Sequence, residues 1–424
     1  MRIDRLTIQN FNGFRFCEFE LNPRFNLLIG DNAAGKSSAA DALSIAVGSW
    51  FLGVRGYSKP LGISGREVHI VARRYGDIYS FEKQFPSRIK ASGLVMGKVV
   101  TWARELSHEG GRTTSVEAKY LSAAANEAET KVRTGFDVTL PLICTYGTER
   151  LWFESGHRKR KKSASPAHRL PTRLDGYRDC IDFTIQESSL LDWIRAEVSA
   201  TQQRERDTTA LRVFRHAITG CVEEATDLYY DERYKDLVVV LGKDRCQLFQ
   251  NLSDGQRIML TLVGDLARRA ITLNPQMGEE ALEKTPGVVI IDELDLHLHP
   301  RWQRHVIHDL KRTFPSVQFV ATTHSPQLIG EAQPEEIRKI DGDEVTTPLR
   351  SYGIDSSRVL EEVMDAKSRN NSVEELLGRL FGLIDKEDFS AASNLLHQVE
   401  EKLGPDDPEV TRARTLMTFL ESKA

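Results

Sequence analysis

The feature that most constrains the fold is the glycine-rich motif GDNAAGKS at residues 30–37, which fits the phosphate-binding pattern GxxxxGK[ST] without a mismatch. An apolar run from Phe25 to Ile29 precedes it, and SSAADALSIAVGSWF follows it with apolar positions at helical spacing. A strand, a loop and a helix in this order are the context that the motif needs. The sequence therefore predicts an α/β fold with a phosphate site at a helix N-terminus, and the flanking elements argue against a chance glycine-rich turn.

Each part of this loop has an expected chemical role. Its backbone N–H groups would wrap the β-phosphate of a nucleotide, Lys36 would neutralise β- and γ-phosphate oxygens, and the Ser37 hydroxyl would ligate Mg²⁺. ATP and Mg²⁺ are therefore the expected ligands. The residues expected to bind the nucleotide are Gly30, Asp31, Asn32, Ala33, Ala34, Gly35, Lys36, Ser37 and Ser38.

A second motif, VVIIDE at residues 288–293, supplies two adjacent carboxylates. Val288 to Ile291 are four consecutive β-branched residues, as a central parallel strand buried on both faces requires. Asp292 and Glu293 would then lie at the carboxyl end of that strand, where open α/β sheets bind ligands. Asp292 would hold Mg²⁺, directly or through water, and Glu293 would orient and deprotonate the attacking water. Two acids after a strand are often only a solvated strand end, and the matching phosphate loop favours the functional interpretation.

Two weaker signals complete the set. Ser253 in LSDGQ, at residues 252–256, is a good N-cap for the helix that follows, so its hydroxyl and the first free N–H groups would form an anion site. An ordinary capped helix is equally consistent with this stretch. His324 follows a second apolar strand, VQFVATT. A lone histidine is more often structural, but its position after the acidic motif favours a functional role.

Taken together, the four motifs resemble the ATP-binding cassette superfamily, in its soluble branch related to the RecF and SMC ATPases, over about residues 1–345. The resemblance implies an ABC-type ATPase head, which is an α/β fold with a mixed central sheet, an antiparallel β subdomain and a helical insertion. LSDGQ resembles the family's LSGGQ signature, with Asp254 in place of the first glycine. In that family the signature contacts the γ-phosphate bound to the other protomer, which implies a homodimer or a higher even oligomer.

The same resemblance assigns the remaining roles. Glu293, His324 and Lys36 would be catalytic, with His324 sensing the γ-phosphate. Ser37 and Asp292 would hold the metal, while Ser253, Gly255, Gln256 and Asp295 would complete the nucleotide site, Asp295 by contacting the opposite protomer. His297 and His299 lack an evident third ligand for a metal site. Gln84 is a candidate for the family's glutamine-loop residue, but its register is poor and the role is not carried over.

Transporter subunits of the same superfamily are a competing class, and the long insertion between Lys36 and Ser253 favours the soluble branch. Three further segments look like the PtuA-type ATPases of Septu and of some retrons, which are bacterial anti-phage systems: residues 140–152, 173–182 and 352–364. That resemblance implies an HNH nuclease partner (PtuB-like) and, in retrons, a reverse transcriptase with its RNA and DNA. The chain shows no convincing nuclease site of its own. The alternative is a RecF-like DNA-repair or DNA-clamping ATPase without a toxic partner.

Composition limits the partners further. A formal net charge of −4 gives no global argument for nucleic acid binding. The local basic run 157–162, with Arg169, Arg173 and Arg178 nearby, could contact phosphates, although a charge run is more often a solvated loop. No apolar run reaches about 18 residues, no signal peptide is evident and the five cysteines are scattered. A cytoplasmic protein without a membrane partner is expected.

The chain is expected to have two parts. An ATPase domain would span 1–345, with an inserted and largely helical region at about 151–235, and a helical partner-docking region would span 351–424. Two strands are predicted within 2–29, antiparallel strands within 66–140, a buried strand within 140–152, two helices within 186–230 and a hairpin turning at Gly242 and Lys243. Three helices are predicted in the tail, at about 372–384, 388–403 and 408–421. The absence of sustained heptads excludes a coiled-coil arm.

Overall fold

The computed structural model describes residues 1–148, 170–185, 187–204, 206–222, 224–242, 245–367 and 369–421. The chain divides into two compact units, Met1–Asp355 and Ser356–Ala424. The strands are β1 Arg2–Phe11, β2 Phe14–Glu20, β3 Phe25–Ile29, β4 Ile70–Tyr75, β5 Ile78–Lys83, β6 Ser87–Val95, β7 Lys98–Leu106, β8 Leu142–Tyr146, β9 Ala225–Asp231, β10 Asp236–Leu241, β11 Arg245–Leu248, β12 Gly287–Ile291, β13 Val317–Thr322, β14 Ile337–Asp341 and β15 Glu344–Thr346. The α-helices are α1 Lys36–Gly48, α2 Lys119–Arg133, α3 Glu187–Arg204, α4 Thr209–Cys221, α5 Asp254–Leu273, α6 Ala281–Lys284, α7 Pro300–Gln303, α8 Val306–Thr313, α9 Pro326–Glu331, α10 Ser356–Arg358, α11 Asn371–Ile384, α12 Phe389–Leu403 and α13 Pro408–Glu421.

A six-stranded sheet in the order β15-β14-β3-β13-β12-β8 forms the centre of the first unit. The five strands from β14 to β8 are parallel, and β15 adds an antiparallel edge. Every residue of β3, β8, β12 and β13 is buried, as their continuous apolar sequences require. Because these strands are parallel, the loops after β3, β12 and β13 leave from the same edge of the sheet.

A four-stranded antiparallel sheet, β2-β1-β6-β7, forms a second layer. Gln318 of β13 joins it to the central sheet, since its side chain accepts from the Ile3 N–H (2.8 Å) and donates to the Ile3 carbonyl (2.7 Å). The Trp102 indole of β7 donates to the Ala46 carbonyl of α1 (3.0 Å). The predicted α/β fold, with a mixed central sheet, an antiparallel subdomain and added helices, is therefore confirmed. Strand β2 is missing from the prediction, which has two strands within residues 2–29.

The inserted region contains α3 and α4, as predicted, but the helical prediction up to residue 230 is wrong at its end. Residues Ala225–Asp231 form β9, which pairs with β10 in the sheet β11-β10-β9. Leu228 and Tyr230 alternate with more exposed residues along this strand. This alternation is the pattern of a half-buried strand and not of a helix. The predicted hairpin is present as β10 and β11, and Lys243 at its turn lies outside the described residues.

The second unit contains the three predicted helices, within one residue of their expected bounds. Its core is apolar and consists of Leu377, Leu380, Ile384, Ala392, Leu395, Leu396, Val399, Val410, Ala413 and Met417. Outside it, Arg369 forms an ion pair with Asp407, just before α13 (3.1 Å). In the part of the chain that the structure describes, no helix combines the length and apolar character that a membrane span requires.

Candidate nucleotide-binding site

The loop between β3 and α1 is held in a conformation that depends on its glycines. Gly35 has φ +102°, and a Cβ there would lie 2.5 Å from the Phe14 ring. At Gly30, with φ +150°, a Cβ would lie 2.4 Å from the Ile340 carbonyl oxygen of β14. The loop backbone thus packs tightly between β14 and the start of β2, where only glycine fits. The loop leads directly into the first turn of α1, so its N–H groups lie at a helix N-terminus, as the phosphate-binding motif predicts.

Lys36 is the only cation of this loop, and its side chain is turned into it. Nζ donates to the carbonyls of Gly30 (2.9 Å) and Asp31 (2.8 Å), and the residue is 7% exposed. Burial lowers the pKa of Lys36, and the carboxylates of Asp292, Asp31, Glu293 and Asp295 oppose that shift. An ammonium group in this position is available to a phosphate chain bound by the loop.

Asp292 lies directly after β12, next to the start of α1. Its Oδ1 accepts from the Thr322 hydroxyl (2.6 Å) and from the Ser37 hydroxyl (3.3 Å). Its backbone N–H donates to the Tyr146 carbonyl of β8 (2.8 Å). The structure therefore brings together Ser37 and Asp292, the two predicted metal ligands.

Glu293 follows with φ +50°, a left-handed conformation that is uncommon for a residue with a side chain. Its N–H donates to the Thr322 hydroxyl (2.7 Å), and the next N–H, of Leu294, donates to the Thr322 carbonyl (2.9 Å). One residue of β13 thus fixes the Asp292 carboxylate and the turn that carries Glu293. The sequence interpretation overlooked Thr322. A hydroxyl at the end of the strand beside the acidic motif was the available signal.

His324 lies between buried hydroxyl residues that set its backbone position. Thr323 donates to Asp295 Oδ1 (2.6 Å) and accepts from the Ser325 N–H (2.9 Å). The Ser325 hydroxyl donates to Gln303 Oε1 (2.7 Å). His324 itself is exposed, at the edge of the sheet that also carries Asp292 and the phosphate loop. Its side chain is accessible to a ligand bound there.

Ser253, Gly255 and Gln256 form a separate group at the start of α5. Ser253 and Gln256 make a reciprocal capping box, in which the Ser253 N–H donates to Gln256 Oε1 (3.1 Å). A Cβ on Gly255 would meet the His297 carbonyl oxygen at 3.0 Å, so the helix start packs closely against the loop after the acidic motif. Between the described residues, no hydrogen bond joins Ser253 to the phosphate loop.

A buried ionic network links α5 to the acidic motif. Asp265 of α5 accepts from the Tyr146 hydroxyl (2.9 Å), from Arg268 (2.6 Å) and from Arg269 (2.7 Å). Arg269 also donates to the carbonyls of Gly176 (2.9 Å) and Arg178 (2.7 Å). These arginines hold the pKa of Asp265 well below its ordinary value, although burial alone would raise it. The backbone carbonyl of the same Tyr146 accepts the Asp292 N–H, so α5 and Asp292 share one anchor.

The residues at the strand ends fit a hard divalent cation. A hydroxyl and a carboxylate at adjacent positions are oxygen ligands of the kind that Mg²⁺ prefers. Two further carboxyls have raised pKa values. The pKa of Asp41 is raised to about 6, by burial first and then by Glu67 and Asp292, and burial also raises the pKa of Glu67. Burial therefore favours the neutral form of both groups.

Several weaker candidates have other positions. The His299 side chain accepts from the Arg301 N–H (3.3 Å) and caps α7, and among the described residues no group of three His, Cys, Asp or Glu side chains could hold a metal. Gln84 donates to the Glu82 carbonyl (2.9 Å) at the end of β5.

The predicted phosphate contacts of the basic segment are only partly within the described residues. Arg173 donates to the carbonyls of Leu273 (2.9 Å) and Val138 (2.6 Å), and Arg178 pairs with Asp175 (2.8 Å). Both arginines thus have intramolecular partners, and their contact with nucleic acid stays a prediction. The run 157–162 and Arg169 lie outside the described residues.

The chain matches two protein-family models and is similar to several individual proteins. The family model described as "AAA domain, putative AbiEii toxin, Type IV TA system" matches residues 102–330, and "AAA ATPase domain" matches residues 1–146. The chain is 24% identical to the Retron Ec83 probable ATPase of Escherichia coli, over 96% of this chain and 85% of that protein. It is 28% identical to Septu protein PtuA of Bacillus thuringiensis, over 38% of this chain and 43% of that protein. These similarities confirm the predicted resemblance.

Among solved structures, the SMC head domain from Thermotoga maritima matches 82% of this chain and 99% of its own length. The sequence identity is 15% and the TM-score is 0.45.

Proposed function

The chain belongs to the family described as "AAA domain, putative AbiEii toxin, Type IV TA system", and on that premise we propose that it is an ATPase that dimerises around Mg-ATP and regulates a partner nuclease in anti-phage defence. The family and the relatives named as ATPases support ATP hydrolysis. The observation that carries the proposal is the hydrogen-bonded group of Ser37, Asp292 and Thr322 beside the phosphate loop. In the proposal Ser37 and Asp292 are the metal-binding pair, beside the lysine that would hold the phosphates.

The catalytic roles follow from the positions of the side chains. The loop N–H groups and Lys36 bind the phosphate chain, while Ser37 and Asp292 would hold Mg²⁺. When bound there, the metal would neutralise charge on the phosphate oxygens. Glu293 takes the proton of the attacking water, since its turn is anchored by Thr322 at the edge that carries the loop. His324, exposed at that edge, contacts the γ-phosphate. The products are ADP and phosphate.

Dimerisation is proposed from the second anion site. The N-terminus of α5 presents Ser253 and free N–H groups, and it packs on the His297 loop instead of the phosphate loop of its own chain. In the proposed dimer it contacts the γ-phosphate held by the other protomer, and Asp295 lies at the same interface. ATP binding then closes the dimer and hydrolysis opens it.

A complementation experiment tests the shared site. Lys36→Ala and Ser253→Arg each remove one half, so each variant alone is expected to be inactive. Mixing them forms heterodimers in which one of the two sites has both halves intact, and about a quarter of wild-type turnover should return if pairing is random. As a matched control, mixing Lys36→Ala with Asp292→Ala, which damages the same half, should restore nothing. If the first mixture also stays inactive while all variants are folded and the wild type hydrolyses ATP, the shared site is wrong.

The proposed partner is an HNH nuclease, accompanied in a retron by a reverse transcriptase and its RNA and DNA. The similarity to a protein named for retron Ec83 and to a Septu protein supports a partner from such a defence system. We place the docking region at 351–424, where Ser356–Ala424 form a compact unit with its own core. Deleting residues 356–424 should abolish co-purification of the nuclease while ATP hydrolysis continues. A deletion variant that still hydrolyses ATP and still binds the nuclease would refute that assignment.

A further inference from the structure

The hairpin of β4 and β5 exposes large apolar side chains that the proposed ATPase site does not use. Among the strands that the structure describes, these two pair only with each other, and the register places Arg74 opposite Tyr79 and Ala72 opposite Phe81. Nearly every residue from Ile70 to Glu82 is exposed. An isolated two-stranded hairpin is marginally stable in water, and exposed apolar patches mark binding surfaces. This hairpin is therefore a candidate interaction surface.

The two faces of the hairpin differ in chemistry. The aromatic face consists of Ile70, Ala72, Arg74, Tyr79, Phe81 and Lys83, because residues two apart and cross-strand partners share a face. Tyr79 is 57% exposed and Phe81 is 69% exposed. Ala72 is too small to cover the Phe81 ring from the opposite strand. The aromatic face thus presents two open ring surfaces.

The spacing of these rings suits successive bases of a single strand. Tyr79 and Phe81 are two residues apart on β5, so their attachment points are roughly 7 Å apart along the strand. Aromatic side chains at alternate strand positions are the arrangement on which single-stranded nucleic acids stack their bases. Stacking of this kind tolerates any sequence, since every base has a π face.

The charges on this face fit a phosphate backbone. The Arg74 guanidinium lies over one face of the Tyr79 ring, 6.0 Å from its centre, so a base would stack on the other face of that ring. Lys83 at the other end pairs with Glu109 (2.6 Å). The hairpin's own carboxylates lie elsewhere: Asp77 is at the turn, 4.0 Å from Arg74, and Glu82 belongs to the opposite face. Both cations of the aromatic face therefore lie near a carboxylate from outside it, and the six residues of the face themselves include no acid.

We propose that the aromatic face binds a single-stranded nucleic acid, with bases stacked on Tyr79 and Phe81 and Arg74 contacting a phosphate. This site is distinct from the nucleotide site and from the basic segment 157–178. It requires neither ATP hydrolysis nor a nuclease partner, so it goes beyond the proposed function and can fail independently of it.

The experiment is fluorescence anisotropy of the full-length protein with labelled oligo-dT and oligo-U, which separate DNA from RNA as the source of the strand. The double variant Tyr79→Ala/Phe81→Ala should weaken binding of at least one strand by at least about tenfold. Arg74→Gln should lower the slope of log affinity against log salt by about one. The matched control is Tyr75→Ala/Ile78→Ala on the opposite face, where Tyr75 is 61% and Ile78 is 72% exposed. It should bind like the wild type.

Tyr79→Phe keeps a ring at the site and should also bind like the wild type. Melting temperature and ATP turnover measured on every variant show that the rest of the chain is intact. Three results would overturn the proposal: no binding of either strand by the wild type, unchanged binding by the aromatic-face double variant, or an equal loss in the opposite-face control. The last result would mean that both double variants act by disrupting the hairpin itself.

Discussion

Replacing Thr322 by valine tests whether this residue positions the metal carboxylate. The substitution keeps the branched shape in a residue that is 1% exposed, so it leaves no cavity. It removes the hydroxyl that donates to Asp292 Oδ1 at 2.6 Å and accepts from the Glu293 N–H at 2.7 Å. We expect Asp292 to lose the bond that orients it toward Ser37, and Glu293 to lose the anchor of its left-handed turn.

The size of the effect follows from those two bonds. A hydrogen bond to a charged group contributes about 1.5–3 kcal/mol and a neutral one about 0.5–1.5 kcal/mol. Asp292 is only half-buried and water replaces part of its lost bond, so a net loss of about 2 kcal/mol is reasonable for the pair. If that energy is lost from metal binding, the Mg²⁺ affinity falls roughly thirtyfold, because about 1.4 kcal/mol corresponds to a factor of ten. Residues that hold metal ligands typically change affinity or activity by about 10–100-fold.

The assay is ATP turnover against Mg²⁺ concentration. Thr322→Val should raise the Mg²⁺ concentration for half-maximal turnover by roughly thirtyfold, while Thr322→Ser, which keeps the hydroxyl, should stay near the wild type. Thr285→Val is the control, because Thr285 is also buried and hydrogen-bonded (to Asn274, 3.1 Å) but precedes the opposite end of β12. An unchanged Mg²⁺ midpoint in Thr322→Val, or an equal shift in Thr322→Ser, would refute the role of the hydroxyl.

Three further predictions concern other parts of the first unit. Gly35→Ala should abolish binding of a fluorescent ATP analogue in a folded protein, because the added Cβ has no space; retained affinity would contradict the loop geometry. Asp265→Asn should lower the free energy of unfolding by about 3–5 kcal/mol, since the buried Arg269 and the partly buried Arg268 lose their counterion, whereas Tyr146→Phe should cost only about 1 kcal/mol; urea unfolding that ranks them in reverse would contradict this. Asp41 has a raised pKa, so the folded protein binds its proton more tightly than the unfolded chain does, and stability should fall as pH rises from about 4 to above 6. Asp41→Asn should remove that fall in metal-free urea titrations, and an unchanged slope would count against the shift.

The central sheet and the loop were predictable because their signals are local. The run Phe25 to Ile29, the glycine-rich motif and the β-branched run before Asp292 each define one element, and parallel strands bring their ends to one edge. The tail helices were predictable for the same reason. Their apolar residues recur at helical spacing and a proline-containing turn separates the last two.

What the sequence did not reveal depends on contacts between distant residues. In the sequence, Thr322 is an ordinary strand residue. Only the pairing of β13 with β12 brings its hydroxyl within hydrogen-bond distance of Asp292. The glycine at position 35 also depends on a distant residue. The motif predicts a glycine there, but the side chain that excludes any other residue is Phe14, which belongs to a strand that the periodicity did not indicate. Strand β9 was assigned as helix because seven residues are too few to separate the two periods.

The network around Asp265 also limits which parts of the first unit can move during an ATP cycle. Its charges are buried, and sliding α5 along β8 would separate Asp265 from Tyr146 and Arg269 without water to replace their bonds. Helix α5 and strand β8, which is bonded to Asp292, must therefore move as one rigid body. Any opening and closing has to be absorbed at segments outside this piece, so disulfide crosslinks placed within it should leave turnover intact.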